Sequence, residues 1–290
     1  MKPKVLLQID GDKHPSSFDS IVAVDAGVDQ LLSFGDVAVG DVEAMIHGAM
    51  FTRGPADLHR TGAFFGGRDV GLATRLFERA KQCFFGPIRI SMMSDPNGAN
   101  TTAAAAVLCA QRHLEFAGKR VVVLGGTGPV GCRIAELVAA QDGRVVLASR
   151  KRERAEVVCQ DIKTRLGLDA ALESTEVQSS LAAMDCLKQA DAVFAAGAAG
   201  VELVRGGWLQ KDASLQIAVD LNAVPPAGIA QVEAVDAGEL REGVACYGAI
   251  GVGGLKMKIH RAAIQRLFDS NDALLELNQI FEIGRGLEVG

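Results

Sequence analysis

The chain has 290 residues, 49% of them hydrophobic and 22% charged, with a formal net charge of −5. Such a length and balance suit a well-packed protein of two domains or one large one, and the acidic excess excludes bulk binding to a nucleic-acid backbone, which needs clustered Lys and Arg. No apolar run reaches the length of a membrane span, and the six scattered cysteines lack C-x-x-C spacing or a nearby histidine, so neither a metal centre nor a disulfide scaffold is expected.

The first ten residues read as a strand rather than a signal-peptide core, which with reduced cysteines makes the expected location cytoplasmic. Val5 to Ile9 is that strand, Phe18 to Ala26 reads as a short helix, and apolar runs follow at Thr61 to Phe65 and Ile88 to Met92. The alternation predicts an α/β domain over residues 1–103. Asp95 to Thr102 is dense in turn and capping residues and leads into an alanine-rich helix, Ala103 to Phe116, expected to bridge to a second domain over 118–268.

That second domain opens on the strongest motif. Arg120 to Leu124 is a β-branched and aliphatic run of the kind a doubly covered parallel strand needs, and it breaks into Gly125-Gly126-Thr127-Gly128-Pro129-Val130-Gly131. Gly126, Gly128 and Gly131 form G-x-G-x-x-G: one glycine for a tight turn, one for backbone approach to a pyrophosphate, one for close helix–strand packing. The helix predicted over Val130 to Gln141 then points free N–H groups and a partial positive charge at the phosphates. A second strand, Arg144 to Ala148, ends in Ser149-Arg150-Lys151. NAD sites usually place a carboxylate there for the ribose 2′-hydroxyl; a hydroxyl and two cations, with Arg154 one turn on, suit the 2′-phosphate of NADP instead. The alternative is a solvated helix start.

Further strands are expected near Ala170 to Glu173, at Ala192 to Ala196 and at Leu215 to Val219, with a helix over Val177 to Gln189. Ala196 and Gly197 end one strand in small residues against which a cofactor can lie, or form a plain turn. Asp220 and Asn222 end the next at the sheet edge where open α/β sheets bind ligands. Tyr247 to Gly254 reads as a glycine-rich loop entering a helix that carries Lys256 and His260 on one face. Residues 269–290 read as a C-terminal helix returning to the first domain.

Together with Pro15 to Asp19, Thr52-Arg53-Gly54 and Phe84-Phe85-Gly86-Pro87, the segments Asp95 to Ala106, Gly125 to Gly131, Ser149 to Lys151, Asp220 to Gly228 and Gly248 to Ala262 resemble the NADP-dependent methylene-tetrahydromethanopterin dehydrogenases of C1-metabolising bacteria, a family with members acting on methylene-tetrahydrofolate. The resemblance implies two α/β domains with a cleft between them, a Rossmann-type NADP domain second, a pterin C1 carrier as substrate, and a homo-oligomer. It also implies Lys256 as the active-site residue, matching the family's glycine-loop lysine and hydrogen-bonding a pterin nitrogen or carbonyl. Asn100 and Thr102 then hold the pterin or stabilise the hinge, with capping alone sufficient for Thr102. Phe18 stacks on the substrate or belongs to the core, Asp19 contacts substrate or caps a helix, Asp220 faces the substrate, and His260 is a supporting residue rather than a base.

The reaction implied is hydride transfer from a methylene carbon to nicotinamide, which needs no acid–base dyad, and none is evident. Two other readings stand beside it. A shikimate-type NADP oxidoreductase would need a Lys–Asp pair in the first domain, where Lys2, Lys4, Lys13 and Lys81 offer none in sequence. A non-catalytic NADPH-binding protein would bind without turnover.

Overall fold

The computed structural model describes residues 2–167, 171–208 and 214–289. The chain forms two compact units, one of Met1–Thr101 with Met257–Gly290 and one of Thr102–Lys256. The first opens with β1 (Val5–Ile9), α1 (Ser17–Asp25), β2 (Gln30–Phe34), α2 (Val42–Phe51), β3 (Thr61–Phe65), α3 (Val70–Lys81) and β4 (Ser91–Ser94). Helix α4 (Ala99–Gln111) begins in the first unit and ends in the second. The second continues with β5 (Arg120–Leu124), α5 (Pro129–Ala139), β6 (Arg144–Ser149), α6 (Arg152–Leu166), β7 (Leu172–Glu176), α7 (Ser180–Leu187), β8 (Ala192–Ala195), β9 (Ile217–Asp220), β10 (Ala237–Arg241) and β11 (Val244–Tyr247). Helix α8 (Ala249–Arg266) returns the chain to the first unit, which β12 (Leu274–Leu275) and α9 (Leu277–Val289) complete.

The first sheet has the order β12-β4-β3-β1-β2 and is parallel throughout. Its inner strands bury both faces: Leu7, Ile9, Ala63 and Phe65 pack with Ile46, Leu76 and Phe77, while Leu6 and Gly62 meet Leu267 on the other side. Helix α3 shows why such helices form here. Asp69 caps it by accepting from Leu72 N at 2.9 Å, and Ala73, Leu76, Phe77 and Ala80 make one buried stripe at helical spacing.

The second sheet runs β10-β11-β9-β8-β5-β6-β7, parallel except for the β10–β11 hairpin. Strand β5 sits inside it, and Val121 to Leu124 are buried on both faces, the reason for the unbroken aliphatic run. This is the α/β fold with a Rossmann-type second sheet that the motif order predicts.

Several elements differ from expectation. The bridging helix starts at Ala99, four residues early, because Asp95 caps it: Oδ1 accepts from Asn100 N at 2.8 Å and Thr101 N at 3.1 Å. The glycine-rich segment after Tyr247 is not a loop but the first turns of α8. Two of its glycines serve close packing: a Cβ on Gly248 or Gly251 would fall 2.0 Å from Glu233 O or 1.8 Å from Asp236 O, whereas a Cβ on Gly253 or Gly254 would meet nothing within 4 Å among the described residues. Residues 257–268, expected with the nucleotide domain, lie in the first unit, and α9 does too. The run from Ile88 becomes a strand only at Ser91, the helix expected over Val177 to Gln189 covers Ser180–Leu187, and the strand expected from Leu215 begins at Ile217. Strand β7 starts at Leu172; the expected start at Ala170 lies outside the described residues.

Candidate functional site

Strands β5, β6 and β8 are parallel, so their carboxyl ends meet at one edge of the second sheet. There the chain forms a cavity of about 240 Å³ whose wall includes Gly125, Thr127, Gly128, Ser149, Arg150 and Gly197. The glycines around it do different work. Gly125 takes φ +68° and carries the left-handed turn, a role expected of Gly126; a Cβ on Gly125 would stand 2.7 Å from Gly197. Gly126 is instead demanded by packing, its Cβ position 2.6 Å from Leu147. Gly128 is different: a Cβ there would meet nothing closer than Gly125 O at 3.4 Å, so the protein itself leaves room for a side chain.

Gly128 is the N-cap of α5 and Pro129 its first residue, with no N–H to satisfy. The N–H groups of Val130 and Gly131 follow in the first turn, where a helix offers them no internal acceptor and where the dipole is positive. At the end of β6, Ser149 is buried, its Oγ 3.5 Å from Thr127 Oγ1 and accepting from Lys151 N at 3.4 Å. Arg150 is exposed and lines the cavity. Lys151 and Arg154 are exposed at the start of α6 and do not line it. Arg152 is paired with Glu156 at 3.0 Å, but among the described residues no carboxylate pairs with Arg150, Lys151 or Arg154. The edge therefore combines free N–H donors, a chain without a Cβ at Gly128 and uncompensated cations, the donor set of a phosphate-rich ligand.

Ala196 and Gly197 line the cavity as expected from their small size, and Val177, Ala198, Val201 and Leu203 join them. Ala198 belongs to the same run of small residues as Ala196 and Gly197, while Val177, Val201 and Leu203 carry no local signal, since they come from segments remote in sequence from the glycine motif. Asp220 and Asn222 do not line it. Asp220 is buried, accepting from Ile229 N at 2.9 Å and Asn222 N at 3.0 Å; burial pushes its carboxyl above the ordinary range while those N–H groups pull it back. Asn222 accepts from Gly200 N and Val224 N and donates to Pro226 O. Both side chains fasten the loop after β9 to the strand end.

In the first unit, the carboxyl ends of β1, β3 and β4 gather Asp10, Gly66, Gly67 and Asp95. Asp10 is fully buried; Oδ1 accepts from Asp12 N at 2.7 Å, and Oδ2 has no hydrogen-bond partner among the described residues. Burial pushes this carboxyl up, against the Asp12 N–H that lowers it. Asp19 is buried nearby: its Oδ2 and that of Asp10 lie 3.7 and 3.5 Å from where a Gly66 Cβ would be. The cap of α1 is Ser16, whose Oγ accepts from Asp19 N, so capping does not account for Asp19.

His260 is fully buried and stacks on Phe64, centroids 5.6 Å apart at 25°, with the Phe18 ring 6.3 Å away. Phe18 is 48% exposed, so it is not a core residue. Asn100 Nδ2 donates to Ser94 O, and the hydroxyl that donates to the capping carboxylate of Asp95 is that of Thr101, while Thr102 is half-buried. Lys256 is half-buried, one turn before His260 on α8 and well inside that helix rather than at its start. Asp10 is the residue sequence reasoning passed over; its signal was a charged residue directly after a buried strand.

Fold and edges together define a two-unit α/β protein with a Rossmann-type nucleotide unit. A family model described as methylene-tetrahydromethanopterin dehydrogenase, N-terminal, matches residues 17–97. The chain is 39% identical over 287 residues to the bifunctional protein MdtA of Methylorubrum extorquens, covering 98% of this chain and 99% of the relative. It is 34% identical to the NAD(P)-dependent methylenetetrahydromethanopterin dehydrogenase of the same organism, covering 90% and 91%. The chain belongs to the methylene-tetrahydromethanopterin dehydrogenase family. In fold it is also similar to quinate dehydrogenase from Corynebacterium glutamicum in complex with NAD, at 14% identity, TM-score 0.53, and coverage of 98% of this chain and 100% of that one. Among the described residues no helix is long and apolar enough to cross a membrane, and no group of His, Cys, Asp and Glu is arranged to hold a metal ion.

Proposed function

We propose that the protein oxidises the methylene group of methylene-tetrahydromethanopterin to the methenyl form with NADP as acceptor. The observation that carries the cofactor choice is the end of β6, where Ser149 and Arg150 line the cavity with no carboxylate among the described residues that form it. When bound, NADP supplies the nicotinamide carbon that accepts the hydride. Val130 and Gly131 N–H hold its pyrophosphate, Gly128 lets the backbone come close, and Ser149 with Arg150 takes the 2′-phosphate while Lys151 and Arg154 add positive field.

The relative named NAD(P)-dependent methylenetetrahydromethanopterin dehydrogenase supports the same pterin substrate here. Phe18 offers an exposed ring face to a pterin, backed by His260 and Phe64. Asp19 and the unpartnered Oδ2 of Asp10 suit the N–H donors of an aminopyrimidine edge. The methylene carbon gives up a hydrogen with its electron pair and the charge left behind spreads over two nitrogens, so no side chain has to move a proton. The work left to the residues is alignment and exclusion of water. Lys256 hydrogen-bonds a pterin nitrogen or carbonyl, since a cation would oppose the developing charge if placed directly against it.

A shikimate-type reading would want its Lys–Asp pair at the carboxyl edge of the first sheet. The pair Lys2–Asp57, at 3.0 Å, instead precedes β1 and β3 at the opposite edge. The deciding experiment mixes protein and NADP with methylene-tetrahydromethanopterin, then with methylene-tetrahydrofolate, and follows NADPH by absorbance. Turnover on the first supports the reading, and turnover on the second would extend the carrier range. NADPH binding without turnover on either would replace the proposal with a nucleotide-binding role.

A further inference from the structure

Strand β1, Val5-Leu-Leu-Gln-Ile9, has one polar side chain. Gln8 is 1% exposed, at a place where an aliphatic residue would serve the sheet as well. A buried carboxamide is costly unless its polar atoms find partners, so the bonds it makes are the reason for its presence.

Those bonds lead to α1. Gln8 Oε1 accepts from Ser33 Oγ at 2.7 Å, directly across the register on β2, and from Ser20 Oγ at 2.8 Å, while Nε2 donates to Ser16 O at 3.0 Å. The last bond fixes which way the amide points, because a carbonyl oxygen can only accept. Ser16 is the N-cap of α1 and Ser20 its fourth residue, so one side chain holds the helix at both ends of its first turn. Between them lie Ser17, Phe18 and Asp19. Of these only Asp19 is buried, and the buried apolar residues of α1, Val22 and Ala23, come after that turn. The first turn is therefore fastened to the sheet by hydrogen bonds rather than by apolar packing.

We propose that Gln8 is a positioning residue for the pterin, an inference that rests on the reading of Phe18 and Asp19 as pterin contacts. Gln8 is fully buried and acts through them. By tying Ser16 and Ser20 to β1 and β2, it sets where the Phe18 ring and the Asp19 carboxylate stand relative to Asp10 and Gly66 at the carboxyl edge of the sheet. Groups held in place before the substrate arrives cost less to order on binding, so Gln8 serves pterin affinity and leaves the nucleotide seat untouched.

The test compares three variants of the intact protein. Gln8→Leu keeps the strand apolar and removes all three bonds, Ser20→Ala removes one, and Arg53→Ala releases Pro3 O and Arg60 O, which precede β1 and β3 at the opposite edge of the same sheet. Gln8→Leu should raise KM for methylene-tetrahydromethanopterin by about tenfold or more and Ser20→Ala by a smaller factor, both leaving Kd for NADP within about twofold. Arg53→Ala should lower the melting temperature and move neither constant. In a Phe18→Ala, Asp19→Asn background, Gln8→Leu should add less than about twofold, since the groups it positions are gone. Hydrogen exchange without substrate should show residues 16–20 losing protection in Gln8→Leu while β5 keeps its own. Ser20→Ala carries the same comparisons should Gln8→Leu fail to fold. An unchanged KM beside a raised one in Phe18→Ala, a full effect in the double background, or unchanged exchange at residues 16–20 would each overturn the inference. A wild-type KM in both Phe18→Ala and Asp19→Asn would overturn the reading of those two contacts and the inference with it, and the exchange data would still show whether Gln8 holds the turn.

Discussion

Gly131 lies so close to Gly126 that a Cβ on the first would stand 2.7 Å from the Cα of the second, while Gly128 between them has room for one. The same motif thus holds one glycine for the fold and one for a ligand. Gly131→Ala should destabilise the protein by about 1–3 kcal/mol through backbone displacement. Gly128→Ala should leave stability within about 0.5 kcal/mol yet weaken NADP binding by about tenfold or more. Thermal unfolding and calorimetric titration of both variants check this, and intact NADP affinity in Gly128→Ala would remove that residue from the phosphate seat.

Arg150 lines the cavity and has no carboxylate partner among the described residues, so its charge is available to a 2′-phosphate. Arg150→Ala should raise KM for NADP by about 10- to 100-fold, the worth of a charged hydrogen bond, and leave KM for NAD within about twofold. Equal effects on the two cofactors would reduce the cation to solvated surface.

Lys256 is proposed to act on the pterin alone. Lys256→Ala should lower kcat by about 10²-fold, comparable to loss of one preorganised donor, with NADP affinity retained. Steady-state kinetics together with NADP titration separates this from general damage; unchanged kcat would take Lys256 out of the site.

Asp10 is a buried carboxylate whose ionised form is disfavoured in the folded chain. Its folded pKa is raised, so the folded state holds the proton more tightly than the unfolded chain does. The stability this gives is complete below the ordinary carboxylate pKa, near 4, and is lost as pH rises through the raised value. Asp10→Asn should therefore unfold at higher temperature than wild type at pH 7.5, the gap closing as pH falls toward 4. It should also weaken methylene-pterin binding. A gap independent of pH would show that the carboxylate is not under this strain.

Much of both units was legible because their signals are local. Strands β1, β3 and β5 fall on their apolar runs, because a strand buried on both faces needs nearly all its side chains apolar or small regardless of what it pairs with, Gln8 and Thr61 being the polar exceptions. The glycine spacing and the Pro129 helix start are likewise short-range chemistry. The glycines after Tyr247 misled for the complementary reason. Flexibility and close packing call for the same residue, and only the approach of Glu233 and Asp236 distinguishes them.

The candidate site divides along the same line. Sequence named the residue types at the strand ends, since open parallel sheets collect polar and small residues there. It could not assign the partners of their polar atoms. Asp220 turned to the backbone of Ile229 and Asn222, Asp10 was left with one oxygen without a hydrogen-bond partner among the described residues, and Phe18 was brought into the open beside His260, more than two hundred residues away. Those outcomes depend on which distant backbone groups arrive at each side chain when the sheets assemble, and that is decided by tertiary packing rather than by any local pattern.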